Sequence, residues 1–219
     1  MLDSPPGSDP PRRASPLRIG DPAPGFRART TRGETSLEDF RGRWLVFFSH
    51  PAAFTPVCTS EFVGLAKAAP QFEAMNCALL ALSVDSLYAH LAWLRAIREH
   101  FGVTVPFSIV EDPSMAIGRA YGMVDWASED SSTVRATYFI DPDGIIRAMT
   151  WYPMTVGRSV DEMLRMVAAL QRTTRGEVST PEGWRPGQDV LLPPAQGQDE
   201  AFESHPGAEW FYRLQADAP

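Results

Sequence analysis

At 219 residues, 44% hydrophobic and 21% charged, the chain is long enough for one good-sized domain with a small appendage, and its composition is that of an ordinary globular protein. Its net charge of −7 argues against a nucleic-acid surface or an anionic membrane as a partner. The apolar runs fall far short of the ~20 residues a membrane helix needs, the N-terminus lacks the apolar stretch of a secretory signal, and only two cysteines occur, so a reducing, cytoplasmic setting is expected.

Residues 1–16 are rich in proline and nearly free of apolar side chains, the composition of a disordered tail. Arg18 to Phe40 reads as a leading segment with a hairpin turn at Thr31-Arg32-Gly33-Glu34 and a short helical turn capped by Ser36. Trp44-Leu45-Val46-Phe47-Phe48 is a buried strand, and Phe62, Leu65, Ala66 and Ala69 line one face of a helix that follows it. Ala78 to Val84 is a second buried strand. Ser86 then caps a helix with Leu87, Leu91, Leu94, Ile97 and Phe101 on one face. Phe107 to Val110 is a short strand, and Pro113 to Tyr121 a short helix ending at Gly122. Asp141-Pro142-Asp143-Gly144 joins two strands as a hairpin, and Ser159-x-x-Glu162 is a capping box opening a helix. The order β-α-β-α-β, hairpin, helix gives an α/β fold with a central mixed sheet flanked by helices.

Between the first strand and its helix lies Ser49-His50-Pro51-Ala52-Ala53-Phe54-Thr55-Pro56-Val57-Cys58-Thr59-Ser60-Glu61. Thr55 is a good N-cap and Pro56 suits the first helical position, which puts Cys58 third in the helix. Free backbone N–H groups and the positive end of the helix dipole favour a thiolate there, so Cys58 is a candidate nucleophile; a buried, inert thiol is the alternative. The Thr55 hydroxyl can cap the helix or bind a substrate at the thiolate, and it can do both in part because it donates and accepts. Glu61 is one turn beyond Cys58 and is placed to pair with an arginine. His50 either contacts the pocket or is structural.

Pro51-x-x-x-Thr55-x-x-Cys58 resembles the active-site pattern of the peroxiredoxins, and the wider stretch is similar to the 1-Cys (peroxiredoxin-6-like) branch. Ala81-Leu82-Ser83-Val84-Asp85, His90-Leu91-Ala92-Trp93, Arg135-Ala136, Asp141-Pro142-Asp143-Gly144, Tyr152-Pro153 and Gly157-Arg158 continue the likeness, which spans roughly residues 17 to 194. The resemblance implies a thioredoxin-like peroxidase domain over residues 17–175 and a small C-terminal domain over 176–219 at a homodimer interface, with higher oligomers open. It implies that Cys58 attacks peroxide and passes through a sulfenic acid, and that Thr55 and Pro51 shape and shield the site. It sets Arg135 against the thiolate, with Arg158 in the same polar network. Hydrogen peroxide and organic hydroperoxides are the implied substrates, in antioxidant defence.

Cys77 opens a buried strand and reads as a core residue, so recycling is expected to need an external thiol such as glutathione or thioredoxin. Were Cys77 a resolving cysteine, it would have to meet Cys58. The lipase motif of some 1-Cys members is missing, because Arg41-Gly42-Arg43-Trp44-Leu45 carries no serine. No cofactor fingerprint or metal-ligand spacing stands out, so neither a cofactor nor a metal is expected. Two other functions compete. A thioredoxin-type oxidoreductase needs Cys-x-x-Cys, whose first position is Thr55, and a redox sensor would use the sulfenic acid only as a signal. The segment after residue 176 is too small for its own core and packs on the main domain or on a second subunit; Trp210-Phe211-Tyr212 also ask for cover.

Overall fold

The computed structural model describes residues 16–124, 131–202 and 209–217. The proline-rich tail at residues 1–15 lies outside the described residues.

The sheet runs in the order β2-β1-β5-β4-β3-β6-β7, with β1 Arg27–Thr30, β2 Gly33–Ser36, β3 Trp44–Ser49, β4 Cys77–Ser83, β5 Ser108–Glu111, β6 Arg135–Ile140 and β7 Ile146–Tyr152. Strands β3, β4 and β5 are parallel neighbours, whereas β6 and β7 are antiparallel. The helices are α1 Pro56–Ala74, α2 Leu87–Phe101, α3 Ala116–Ala120 and α4 Val160–Thr174.

Alternation along β3 explains the layers. On one side, Trp44, Val46 and Phe48 meet Phe62 and Leu65 of α1, Trp93 and Ile97 of α2, and Met163 and Val167 of α4. Leu45 and Phe47 point the other way, into a second core with Tyr121, Tyr138 and Ile146. Each face of the sheet is covered, which is why β3 reads as an unbroken apolar run. This is a thioredoxin-like fold with a mixed central sheet and a C-terminal extension.

Local chemistry sets several boundaries. The hairpin of β1 and β2 pairs Thr30 with Gly33, and a 3-10 turn over Leu37–Phe40 follows with the Asp39 carboxylate accepting from the Ser36 N–H at 2.7 Å. Ser86 Oγ accepts from the Ala89 N–H at the start of α2. At α4, Ser159 Oγ accepts from the Glu162 N–H, but the Glu162 carboxylate pairs with Arg165 instead of returning to Ser159. The expected capping box is therefore half made.

The face of α2 differs from the sequence reading. His90, Trp93 and Ile97 are buried, while Leu91 and Phe101 are 43% and 56% exposed. Ile97 stays on the buried face and Leu94 packs against the core, so the stripe is shifted by less than one residue's turn of about 100°. Trp93 offers more area than a leucine, and its indole N–H finds Thr59 Oγ1 at 3.1 Å.

Beyond α4 the chain packs Trp184 and Val190 on Ala169. Two short strands, β8 Val190–Leu191 and β9 Leu214–Gln215, pair with each other, and a short helix, α5 Gln198–Phe202, lies between them. Trp210, Phe211 and Tyr212 remain 45%, 59% and 49% exposed.

Candidate active site

Strand β3 ends at Ser49 and α1 begins at Pro56, so the loop between them sits at the carboxyl end of a central strand. Phe54 takes a left-handed turn (φ 61°), which bends the chain into Thr55. Thr55 occupies the N-cap position and Pro56 the first helical position, so Cys58 stands third, where backbone N–H groups are free of helical partners. The Thr55 hydroxyl makes no cap bond. It donates to the Ala52 carbonyl at 2.9 Å, a correction to the capping expectation. A hydroxyl that donates keeps its lone pairs for accepting. Pro51 is buried in the loop and lacks a donor.

Cys58 is fully buried, as are Glu61, Arg135 and Arg158 to within a few per cent. Arg135 opens β6, which pairs antiparallel with β3, and this carries its side chain across to α1. Its Nη1 stands 3.4 Å from Cys58 Sγ and 2.9 Å from Glu61 Oε2. Its Nε and Nη2 donate to the Met154 carbonyl at 2.9 and 2.8 Å, which fixes the plane of the guanidinium. Arg158 grips Glu61 through its backbone N–H at 2.8 Å, its Nε at 3.0 Å and its Nη2 at 2.7 Å. It also donates to the Ala136 carbonyl, and its Cζ stands 5.2 Å from the Phe48 ring centroid.

The charges close on one another. Two guanidinium groups and one carboxylate leave one positive charge uncompensated in a dry site. An anion at the position of Cys58 Sγ would balance it, because buried charges are stable only when paired. The same Arg135 Nη1 is placed to bind the charge that develops on an oxygen leaving the sulfur's attack.

His50 does not join this network. Its ring lies among Phe62, Trp93 and His90, and neither ring nitrogen has a hydrogen-bond partner among the described residues. Burial, with the charges of His90, Arg158 and Arg135, holds it well below the ordinary histidine value. Cys77 stands at the start of β4, paired with Trp44, whereas the loop leaves β3 at Ser49. From Cys58, α1 runs away to Ala74, about 24 Å at 1.5 Å per residue. A disulfide needs Cα atoms within about 7 Å, so the two thiols of one chain do not meet. Both are free, and burial pushes the Cys77 thiol up to about 12.

Sequence reasoning missed the Met154 carbonyl, whose role depends on backbone and leaves no side-chain signal. It also assigned no role to Asp85, whose carboxylate accepts the Ala53 N–H at 2.7 Å and ties the loop to the end of β4. The signal lay in the Ser83-Val84-Asp85 stretch noted for its resemblance.

The AhpC/TSA family model matches residues 19–149, and the C-terminal domain of 1-Cys peroxiredoxin matches residues 169–204. A peroxiredoxin of Aquifex aeolicus is 43% identical over 209 residues, covering 89% of this chain and 94% of that one. Peroxiredoxin 2 of Thermoplasma acidophilum is 39% identical over 196 residues, covering 89% and 98%. Among solved structures, a yeast mitochondrial 1-Cys peroxiredoxin, studied for the resolution of its thiol by glutathione and thioredoxin systems, superposes with a TM-score of 0.82 at 38% identity, covering 92% of this chain and 100% of that one. A cysteine-to-serine mutant of peroxiredoxin 6 from Arenicola marina gives 0.81 at 30% identity, covering 91% and 98%. With a helix-start cysteine held against a buried arginine, the chain belongs to the AhpC/TSA family of peroxiredoxins, the thiol-dependent peroxidases.

Proposed function

We propose that the protein reduces hydrogen peroxide and organic hydroperoxides by a 1-Cys cycle at Cys58, in antioxidant defence. The observation that carries the reading is the contact of Arg135 Nη1 with Cys58 Sγ at 3.4 Å in a site whose charges balance when the sulfur is anionic. The thiolate attacks one peroxide oxygen. An S–O bond forms, the O–O bond breaks, and the leaving oxygen takes a proton to depart as water or an alcohol. Arg135 steadies the departing charge, the Thr55 hydroxyl accepts from the peroxide O–H, and buried Pro51 shields the sulfur. Arg158 and Glu61 act on the reaction only through Arg135.

An external thiol then attacks the sulfenic acid, giving a mixed disulfide and water. A second thiol releases Cys58 as thiolate and leaves with the first as a disulfide. Glutathione or thioredoxin fits this step, and the distance from Cys58 to Cys77 supports an external partner. Free cysteines favour a reducing compartment, the cytoplasm, which cell fractionation tests. The exposed Trp210, Phe211 and Tyr212 favour a homodimer that covers them, with residues 176–219 as the docking domain. A monomer in sedimentation at micromolar concentration would sink that assembly.

The deciding test is intact mass after one equivalent of hydrogen peroxide, with a sulfenic-acid trap and a non-reducing gel. Trapping at Cys58 with no disulfide is expected. A Cys58–Cys77 disulfide overturns the 1-Cys cycle, and no reaction at Cys58 overturns the peroxidase assignment of this residue.

A further inference from the structure

Behind the active-site loop, three side chains far apart in sequence come together. His50 precedes Pro51, Asp85 follows the end of β4, and His90 lies in the first turn of α2. A ring nitrogen of His50, a ring nitrogen of His90 and a carboxylate oxygen of Asp85 all lie within 4.8 Å of one another. Both histidines are 0% exposed. Neither nitrogen of His50, nor Nδ1 of His90, has a hydrogen-bond partner among the described residues. A buried polar atom left unpaired costs about 1–3 kcal/mol, so the cluster calls for a further group.

Ser83 orders the donors. Its hydroxyl lies 3.2 Å from Asp85 Oδ2 and 2.8 Å from His90 Nε2. The direction of the Ser83–His90 bond follows the tautomer of the ring: with Nε2 protonated and donating to the hydroxyl, Nδ1 of His90 carries the free lone pair.

We propose that His50, Asp85 and His90 form a site for one divalent transition-metal ion of the zinc class. Two imidazoles and a carboxylate are a donor set that zinc takes with a water in the fourth position. Ligand atoms at about 2.0–2.2 Å from one ion stand roughly 3.3 Å apart, so the trio must close by up to about 1.5 Å. The partly exposed Asp85 gives a route from solvent, and the Ser83 hydroxyl is the outer contact that holds His90 and Asp85 in place. Arg135 and Arg158 repel a cation, but Glu61, bonded to both, offsets one of those charges. Because Asp85 also accepts the Ala53 N–H, an ion here fastens the loop that carries Pro51 and Thr55 to β4 and α2.

The test is equilibrium dialysis of the full-length protein, stripped with EDTA, against Zn²⁺ and then Co²⁺, followed by the visible spectrum of the Co²⁺ form. About one equivalent should bind, with d–d absorption of a nitrogen–oxygen site and no thiolate charge-transfer band. His90→Gln and, separately, Asp85→Asn should each weaken binding at least about tenfold while keeping a native circular-dichroism spectrum. Cys58→Ser should bind as the parent does. If one variant fails to fold, the other, with the parent's Co²⁺ spectrum, decides. Absence of stoichiometric binding, a thiolate band that disappears in Cys58→Ser, or binding indifferent to the folded ligand variants overturns the proposal.

Discussion

Glu61 is held between two guanidinium groups and shut away from water, accepting from Arg135 Nη1 at 2.9 Å and Arg158 Nη2 at 2.7 Å. Glu61→Ala leaves two buried cations facing each other and is expected to cost about 3–5 kcal/mol, read as a lower urea midpoint. Glu61→Gln keeps an acceptor oxygen and should cost less. Arg135→Ala instead removes the donor nearest the reacting sulfur. It should slow the first oxidation by about 10²-fold in stopped-flow tryptophan fluorescence, and an unchanged rate would remove Arg135 from the chemistry. His50 and His90 act on stability through pH. Burial holds both below the ordinary value, so as pH falls below about 6.5 the unfolded chain takes up protons that the metal-free folded protein does not. Their contribution is therefore full above about pH 6.5 and is lost below it. The urea midpoint should drop between pH 7.5 and 5.5, and His90→Phe should flatten that slope.

At the scale of elements, one side chain organises the β6–β7 turn. Asp141 Oδ1 accepts from the Asp143 and Ile145 N–H groups, both at 2.9 Å, and Gly144 supplies the left-handed corner (φ 76°). Asp141→Ala should lower stability by about 1–3 kcal/mol in denaturant unfolding, because it strands donors in a tight turn. Since β6 also carries Arg135, a measurable loss of peroxidase rate at equal folded fraction would show that the turn sets the position of that strand. Local rules made this hairpin legible. The turn of α2 was not legible in the same way, because Leu87, Leu91 and Leu94 satisfy helical spacing as well as His90, Trp93 and Ile97 do. Volume at the sheet surface and the Trp93–Thr59 bond decide between them.

Across the whole molecule, α1 works as a spacer. It places Cys58 at one end of the sheet and leaves Cys77 near the other. Cys77→Ser should keep turnover with an external thiol nearly intact, measured as peroxide consumption. Native alkylation at pH 8 should label Cys58 and spare Cys77, whose thiol burial pushes up to about 12. Labelling of Cys77 as fast as Cys58 would contradict the raised Cys77 thiol, since both sulfurs are buried. The exposed Trp210, Phe211 and Tyr212 belong to this scale too, since nothing within the described residues of one chain covers them fully.

The order of residues alone settles the strand-loop-helix unit and the third-position cysteine, because a proline at the first helical position and an apolar run act over a few neighbouring residues. It also pointed to Arg135 and Arg158, though only by resemblance, and to Glu61 by its helical spacing from Cys58. Their meeting depends on long-range pairing: β6 must join β3 before Arg135, far along the chain, can reach Cys58. The His50–Asp85–His90 cluster has the same origin. Its members share no helical or strand spacing, and only the packing of the loop, the end of β4 and the first turn of α2 sets their side chains within reach of one another.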